Sequence, residues 1–411
     1  MNRPLRLIIA ALLCIRALSS QGMVCDTISC VDIAADTIIF NGADWSPLFD
    51  VLSTLQDSTA TENNVISIVH LGDSHVQAGY FTEALRIPMQ QKWGNAGRGL
   101  ITPLKLCKTN EPSDYSITTP DKWNFKRCIA GKHFSSDVGV SGISILPHTK
   151  YIDLTFQTMS RHGEEVGFNT LRLFHAPTDR FPQLLPHITP DGLNTFSVHA
   201  GETYFTWSDT LSSIRLEGAH SYEVTDAAIY GASLENGKSG VIIHTIGNNS
   251  ATYDSYNNVE GYARKLSVLE PQLIIISLGT NESIASTTTT ERIYRHIDTL
   301  VSDIRKENPQ ALILLTTPAD NKVRQGKKRR RTYAANKHLA LVQEAIHSYG
   351  RDHNIAVWDW YTIGGGKGSC ETWIKEKGMK PDHIHYTEKG YTLQGALLYH
   401  SILQAYEQHI R

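Results

Sequence analysis

The stretch VISIVHLGDSHVQAG, residues 65–79, places a mostly apolar run directly before glycine, aspartate, serine and histidine. The apolar run is typical of a buried strand, and the amphipathic pattern from about residue 76 to residue 93 predicts a helix. Gly72, Asp73 and Ser74 are common turn residues, so a plain turn is one interpretation. A serine nucleophile on a tight strand-to-helix turn is the other. The rest of the chain has to separate the two.

Strands and helices alternate over the C-terminal part of the chain. The runs SGVIIHTIG, QLIIISLG, ALILLTT and AVWDW, all after residue 238, are predicted strands. Helices are predicted at about residues 259–269, 291–307 and 333–349, and from about residue 387 almost to the end. Such alternation predicts a parallel sheet with helices on both faces. The strand at residues 65–71 opens this sheet.

Residues 135–235 have a different pattern. The short alternating segments YIDLTFQT, TLRLFHA, TYFTWS and SIRLEGA predict an all-β sandwich. Because the opening strand of the parallel sheet precedes this unit, we interpret the sandwich as an insertion. We expect its aromatic residues Phe174, Tyr204, Phe205 and Trp207 to form its core rather than a sugar platform. Residues 94–130, rich in glycine, proline and small polar residues, predict a long loop.

The N-terminus has the pattern of an export signal. MNRPLRLIIAALLCIRALSSQG combines Arg3 and Arg6 with an apolar run at residues 7–15 and small residues after it. A membrane anchor or a buried helix is the alternative. The predicted organisation is a signal peptide at residues 1–22, a catalytic domain at residues 23–134 and 236–411, and the insertion at residues 135–235. We expect an exported protein, periplasmic or secreted, without membrane insertion after signal cleavage.

Charge and cysteine content narrow the possible partners. The formal net charge of the 411 residues is −2, so no overall field directs the protein to nucleic acid. Exported chains can hold disulfides. Cys107 with Cys128 is a reasonable pair and Cys25 with Cys30 a weaker one, which leaves Cys370; the pairing stays open, as does the oligomeric state. The cysteine spacing does not match a zinc site, and we expect neither metal nor cofactor.

Chemically useful residues follow successive predicted strands. In open parallel sheets, ligands bind at the carboxyl ends of the strands. Ser74 follows the first strand, Gly247 follows the strand after the insertion, and Asn281 follows the next strand. Asp382 and His385 lie just before the last helix. The set contains a nucleophile, a base beside a carboxylate, and hydrogen-bond donors.

These residues suit nucleophilic catalysis. A serine hydroxyl needs a neighbouring base to remove its proton, and histidine suits that task near neutral pH. Asp382, three residues before His385, can orient the imidazole toward Ser74. The backbone N–H groups of Ser74 and Gly247 and the amide of Asn281 can donate to the oxygen of a tetrahedral intermediate.

Each residue also has an ordinary structural interpretation. Ser74 could cap a helix, Asn281 could be a turn residue, and Asp382 could cap the last helix. His385, or the neighbouring His383, could be a surface histidine. The occurrence of all of them at successive strand ends, in this order, favours the catalytic interpretation.

Four short blocks resemble those of the SGNH (GDSL-type) hydrolases. GDSH resembles the first block, IGNNSA the second, LGTNE the third, and DHIH the Asp-x-x-His of the fourth. The resemblance implies Ser74 as nucleophile, Gly247 and Asn281 in the oxyanion hole, and Asp382 with His385 as the remaining triad members. His383 fits the fourth block less well. The residue after Asn281 is glutamate, where the family usually has aspartate.

The large insertion between the first two blocks is similar to that of the peptidoglycan O-acetylesterases, which carry a carbohydrate-binding-module-like β domain there. Their second block is more often Gly-x-Asn-Gly-Ala, and Ser250 departs from it. The resemblance implies an exported serine esterase that removes O-acetyl groups from a polysaccharide, first of all peptidoglycan. A plant or host polysaccharide, a lipid ester, or a glycan-binding protein with little catalysis are the alternatives. The sugar and the acyl group stay open.

Overall fold

The computed structural model describes residues 27–56, 64–198, 201–220, 223–326 and 332–411. The predicted signal peptide and Cys25 lie outside these ranges. Within them, no helix has the length and apolar character needed to span a membrane. The α-helices are α1 (Ser46–Thr54), α2 (Ser74–Gln77), α3 (Tyr80–Trp93), α4 (Tyr253–Asn257), α5 (Tyr262–Ser267), α6 (Thr280–Ile284), α7 (Thr290–Glu307), α8 (Leu339–His353), α9 (Trp360–Ile363), α10 (Ser369–Lys375) and α11 (Glu388–His409). Short 3-10 helices cover Ile33–Ala35, Lys105–Cys107 and Val224–Ala227.

The strands fall into three stretches of the chain. The first comprises β1 (Ile38–Ile39), β2 (Val65–Gly72), β3 (Gly97–Ile101), β4 (Tyr115–Thr118) and β5 (Trp123–Arg127). The second comprises β6 (Ile143–Pro147), β7 (Tyr151–Thr158), β8 (Phe168–His175), β9 (Leu184–Pro186), β10 (Asn194–Val198), β11 (Glu202–Leu211), β12 (Ser213–Ala219) and β13 (Ile229–Glu235). The third comprises β14 (Gly240–Gly247), β15 (Leu273–Ser277), β16 (Leu312–Thr316), β17 (Lys322–Gln325), β18 (Thr332–Ala335) and β19 (Ala356–Trp358).

A mainly parallel sheet forms the centre of the α/β part. Its strand order is β1-β19-β16-β15-β2-β14. β1 pairs antiparallel with β19, and the other neighbours pair in parallel. β2 is the first parallel strand in the chain, with β14 on one side and β15, β16 and β19 on the other. The strand order therefore reverses at β2, where open sheets form a ligand crevice.

Helices cover both faces of this sheet. Ile66 and Ile68 of β2 pack into one core with residues of α3 and α11. Val69 and Leu71 pack into a second core with residues of α7 and α8. Successive strand residues point to opposite faces, so one strand contributes to both cores. The predicted parallel sheet with helices on both faces is confirmed.

Helix α7 shows how local sequence produces such packing. The Thr289 side chain accepts a hydrogen bond from the backbone N–H of Arg292 and caps the helix N-terminus. Ile293, Ile297 and Ile304, at helical spacing, are buried. The helix was predicted at about residues 291–307, close to its observed bounds.

Antiparallel sheets form the second part of the molecule. One has the order β10-β11-β8-β13-β6-β5, with β3 also paired to β13, and another has the order β4-β7-β12-β9. Both contribute to one hydrophobic core, which includes Leu171 and Phe205 from the first sheet and Leu154 and Leu216 from the second. The fold class with an additional β sandwich is confirmed.

The four aromatic residues named above are placed as follows. Phe205 and Trp207 are buried in the core between the antiparallel sheets. Phe174 is buried against the α/β part. Tyr204 is half-buried and stacks on Phe196, with ring centroids 4.8 Å apart. Core packing therefore accounts for Phe174, Phe205 and Trp207.

The prediction of a long loop at residues 94–130 is wrong. This segment contains β3, β4, β5 and a 3-10 helix. Its glycines suggested a loop, but they permit close strand packing: a Cβ on Gly97 would lie 2.5 Å from the carbonyl oxygen of Leu234. Since β3 already pairs with β13, we propose that the inserted unit begins near residue 97 rather than at residue 135.

The Cys107–Cys128 pair, one of the pairings left open above, is not formed, because both cysteines are free. Cys107 packs into the core of the antiparallel sheets, and Cys128 packs into a core of the α/β part. Burial raises the pKa of each thiol to about 12, as expected for unreactive thiols inside a core.

Two predicted helices have other bounds in the structure. The helix predicted at about residues 76–93 is divided into α2 and α3. The helix predicted at about residues 333–349 begins later, as α8, because β18 occupies the start of that range.

Candidate active site

The turn after β2 positions Ser74 at the first residue of α2. Asp73 caps this short helix, and its Oδ1 accepts a hydrogen bond of 2.9 Å from the backbone N–H of His75. The neighbouring strand β14 ends in close contact with α2. A Cβ on Gly247 would lie only 2.2 Å from the backbone nitrogen of Gln77. Glycine is therefore needed at residue 247 to let β14 pass beneath the helix that carries Ser74.

Ser74, His385 and Asp382 form a continuous hydrogen-bonded chain. Ser74 Oγ lies 2.9 Å from His385 Nε2, and His385 Nδ1 lies 2.8 Å from Asp382 Oδ2. Asp382 Oδ1 accepts from the backbone N–H groups of Ile384 and His385, at 3.0 Å and 2.9 Å. These contacts orient the carboxylate, which favours a proton on Nδ1 and leaves Nε2 to accept from the serine.

The Asp382 carboxyl is held in its ionised form. Its partial burial acts to raise the pKa, but hydrogen bonds from the His385 side chain and from the two backbone N–H groups lower it well below its usual range. A permanently charged carboxylate beside the imidazole stabilises the imidazolium that forms when His385 takes a proton.

His383 does not join this arrangement. Its ring stacks on Tyr333, with centroids 4.0 Å apart, and its Nε2 lies 3.6 Å from Glu371 Oε1. Its backbone has a φ of 62°, which turns the chain between Asp382 and His385. The structure thus brings His385, and not His383, to Ser74.

The triad opens into a cavity of about 680 Å³. The lining combines carboxylates, amides and hydroxyls with aromatic rings, as expected for a site that holds a polar ligand. The lining residues are Ser74, Ala78, Tyr80, Asn110, Glu111, Asn249, Ser250, Asn281, Ile284, Lys380, Ile384, His385, Tyr386, Thr387, Glu388 and Tyr391.

Of the predicted oxyanion donors, Asn281 lines the cavity and Gly247 does not. Asn281 lines the cavity, but its Nδ2 donates to Asp73 Oδ2 at 3.1 Å and to the carbonyl oxygen of Ala251 at 2.9 Å. Gly247 is buried beneath α2 and is not among the lining residues described. Their roles in an oxyanion hole therefore stay proposals.

Ser250 is a further candidate donor, which the sequence analysis did not identify. It lines the cavity and has a left-handed backbone with a φ of 70°, which is uncommon for a residue other than glycine. Within the described residues, the backbone N–H groups of Ser250 and Ser74 donate to no acceptor. The sequence held one indication of this role: Ser250 occupies the position of the second glycine in Gly-x-Asn-Gly-Ala, the one position at which the second block departs from that pattern.

His75 packs against His385. Its ring stacks on that of His385, with centroids 5.4 Å apart, and its Nδ1 lies 3.1 Å from the Tyr391 hydroxyl. Burial, together with the charge of His385, lowers the pKa of His75 to about 3, so His75 stays neutral at physiological pH. A neutral ring can pack against His385 without repelling its protonated form.

Comparison with known proteins places the fold, and part of the sequence, beside esterase-type proteins. A sequence profile of the GDSL-like lipase/acylhydrolase family matches residues 214–393, which include Asn281, Asp382 and His385 but not Ser74. A solved structure of a peptidoglycan O-acetylesterase has a TM-score of 0.70 and 18% identity, and the match covers 90% of this chain and 99% of that chain. The shared fold thus includes both the α/β part and the antiparallel sheets.

Other solved structures match a smaller share of the chain. A GDSL-like lipase from Bacteroides thetaiotaomicron has a TM-score of 0.29 and 19% identity, covering 41% of this chain and 76% of its own. A carbohydrate esterase family 3 protein from Talaromyces cellulolyticus has a TM-score of 0.31 and 12% identity, covering 42% and 75%. No curated protein matches the chain.

Proposed function

We propose that this chain is an exported serine esterase of the GDSL-like lipase/acylhydrolase type, whose family profile matches residues 214–393, and that it removes O-acetyl groups from a polysaccharide, first of all peptidoglycan. The observation that carries the proposal is the hydrogen-bonded chain from Ser74 through His385 to Asp382 at the wall of a polar cavity. The metal-independent chemistry of such a triad requires no cofactor.

In the first half of the reaction, Ser74 Oγ attacks the acetyl carbonyl carbon while His385 Nε2 takes the serine proton. The negative charge that develops on the carbonyl oxygen needs nearby donors. The unpaired N–H groups of Ser74 and Ser250 are suited to this role, and the Asn281 amide joins them if it exchanges one of its present acceptors. The imidazolium then gives its proton to the sugar oxygen, and the C–O bond of the ester breaks.

In the second half, water attacks the acetyl-serine. His385 takes a proton from this water, a second tetrahedral intermediate forms at the same donors, and its collapse releases acetate. The proton on His385 returns to Ser74 Oγ, which restores the starting state. Asp382 remains ionised throughout, because its hydrogen bonds keep its pKa low.

The substrate proposal has three supports. The cavity of about 680 Å³ is far larger than an acetyl group and can contact a sugar as well. The structural match to a peptidoglycan O-acetylesterase extends over 90% of the chain, including the antiparallel sheets. The N-terminal sequence has the pattern of an export signal, which is compatible with a substrate in the cell wall.

Exchange of the triad residues tests the catalytic proposal. Ser74→Ala and His385→Ala should each lower the turnover of para-nitrophenyl acetate by about 10⁴-fold, because either loss prevents formation of the acyl-enzyme. His383→Ala is the matched control, since His383 lies outside the triad, and its turnover should stay within about threefold of wild type. Circular dichroism should show all three variants folded. Near-normal turnover by Ser74→Ala would exclude Ser74 as the nucleophile.

Acetate release tests the substrate proposal. Purified mature protein should release acetate faster from O-acetylated peptidoglycan than from acetylated xylan. Preference for xylan would favour an enzyme of plant polysaccharide. Glycan binding without acetate release from either polymer would favour a binding protein with little catalysis.

A further inference from the structure

The loop between β7 and β8, residues 159–167, extends from the antiparallel sheets to the catalytic part. The Glu164 carboxylate organises this loop by accepting from Ser160 Oγ at 3.0 Å and from the backbone N–H groups of Arg161 and His162 at 3.1 Å and 2.7 Å. Burial acts to raise the pKa of Glu164, but these hydrogen bonds lower it below its usual value, so the carboxylate stays charged. These hydrogen bonds order the turn from which the Arg161 side chain extends to the α/β part.

Arg161 joins two helices of the catalytic part. Its guanidinium forms ion pairs with Glu83 of α3 and with Glu388, the first residue of α11. The same group lies 4.8 Å from the centroid of the Tyr80 ring. His162 adds a further contact, with its Nε2 3.6 Å from Glu83 Oε2. A planar guanidinium has five donors in a rigid fork and a flat face for stacking, so it suits two carboxylates and a ring at once better than the compact ammonium group of lysine does.

Two of these partners form part of the catalytic cavity. Tyr80 and Glu388 line the same cavity as Ser74 and His385, whereas Arg161, which contacts both, is not among the lining residues. An acetyl group occupies only a small part of this cavity, so most of its wall faces the rest of the substrate. Arg161 can therefore influence how a large substrate is held without contacting the reacting atoms.

The charges explain why Arg161 is needed. The Glu83 side chain is almost fully buried, and burial raises its pKa, as does the nearby Asp114. Arg161 acts in the opposite direction and compensates the carboxylate. Without Arg161, Glu83 would keep only the smaller compensation from Arg86 and His162, and Glu388 would lose its ion-pair partner. Both carboxylates and the Tyr80 ring would then lose the group that they share.

We propose that Arg161 is a positioning residue through which the inserted β unit shapes the substrate-binding wall of the catalytic cavity, by holding Tyr80 and Glu388 in place. This inference rests on the proposed function and adds to it a specificity contact between the two parts of the molecule. The insertion thus takes part in recognition of the polymer at this loop.

Arg161→Met is the direct test, since methionine replaces the aliphatic part of the arginine side chain but has no charged group to form the ion pairs. We expect KM for the O-acetylated glycan that the wild type deacetylates to rise about tenfold, because misplaced wall residues weaken binding of the sugar. The kcat/KM for para-nitrophenyl acetate should stay within about twofold of wild type. Arg161→Lys should be intermediate, because it keeps the charge without the planar geometry.

Lys238→Met is the matched control. Lys238 pairs with Glu165 of the same loop at 2.7 Å, but both side chains are exposed and lie outside the cavity lining. Lys238→Met should leave KM for the O-acetylated glycan and kcat/KM for para-nitrophenyl acetate unchanged. If Arg161→Met does not fold, the double variant Glu83→Gln/Arg161→Met, which also removes the buried carboxylate charge, replaces it in the same assays.

The outcomes separate this inference from the proposed function. An unchanged KM for the polymer, or equal losses on polymer and small ester, would overturn the positioning role of Arg161. Wild-type protein that hydrolyses neither substrate would overturn the proposed function instead. A selective rise in KM for the polymer, partly restored by lysine, would support the role.

Discussion

Two buried carboxyl groups, those of Asp73 and Glu282, lie next to the turn that carries Ser74. Asp73 directly precedes Ser74, and Glu282 directly follows Asn281, which donates to Asp73. Burial is the main cause that raises the pKa of each carboxyl to about 7, and for Glu282 the charge of Asp73 contributes to that rise. Glu282 Oε1 accepts from the backbone N–H of Tyr253 at 2.7 Å, whereas Oε2 has no partner among the described residues. These groups should therefore make stability depend on pH.

Glu282→Gln should flatten that dependence. The folded protein keeps the Glu282 proton up to about pH 7, whereas the unfolded chain loses it near its ordinary value of 4.5. The stabilisation is complete below the lower value and is lost as pH rises through the higher one. Glutamine stays neutral at every pH. When the pH rises from 5 to 8, the unfolding free energy of the variant should therefore fall by less than that of wild type, and the difference should be at least about 1 kcal/mol.

Urea unfolding at several pH values measures this effect. Glu407→Gln, which removes an exposed carboxylate on the last helix, is the control and should follow the wild-type curve. A Glu282→Gln curve parallel to that of wild type would show that Glu282 is ionised in the folded protein at all these pH values.

Strand β14 and helix α2 are in close contact at the turn that carries Ser74. β14 pairs with β2 over its full length, so Gly247 lies beside Gly72, two residues before Ser74. The helix that begins at Ser74 then packs directly on the end of β14. Any side chain at residue 247 must move one of these elements.

Gly247→Ala should therefore reduce activity more than stability alone explains. Because its Cβ would lie 2.2 Å from the Gln77 nitrogen, α2 must shift, and kcat/KM for a small acetyl ester should fall at least about tenfold. Gly261→Ala, at an open position with a φ of 61°, is the matched control. It should cost about 1 kcal/mol of stability and leave kcat/KM unchanged. Equal kcat/KM in the two variants would contradict this account of β14.

A buried ionic cluster connects the two parts of the whole molecule. Asp114 lies 3.0 Å from Arg86 of α3 and 2.6 Å from Arg98 of β3, and all three side chains are at most 6% exposed. Burial acts to raise the pKa of Asp114, but the two guanidinium groups together lower it below its usual value. One carboxylate thus compensates a charge from α3 of the α/β part and a charge from β3, which pairs with β13 of the antiparallel sheets.

Asp114→Asn should lower the unfolding free energy by about 3–5 kcal/mol, because two buried guanidinium groups lose their counter-charge. We expect the loss to affect both parts together, so far-ultraviolet circular dichroism and tryptophan fluorescence should report one common urea transition. Glu344→Gln, which breaks an exposed pair with Arg351, should change stability by less than about 1 kcal/mol. Separate transitions for the two probes in wild type would show that the inserted unit unfolds on its own.

Local patterns in the chain were enough to predict much of this molecule. The apolar runs of β2, β14 and β15 and the helical spacing of α7 report burial within a single element, and such periodicity is visible without any partner. Asp382 and His385 are three residues apart, so the turn that joins them is itself a local feature. The predicted Ser74, Asp382 and His385 accordingly lie within hydrogen-bonding distance of one another in series.

Long-range packing determined the rest. β3 has the composition of a loop and becomes a strand because β13 offers it a partner. Arg161 meets Glu83 across 78 residues and Glu388 across 227 residues, a pairing that no local pattern contains. Ser250 enters the cavity because β14 ends beside β2. Periodicity within a segment reflects which side of that segment is buried, whereas the identity of the neighbour depends on how the segments pack, and that information exists only in the folded chain.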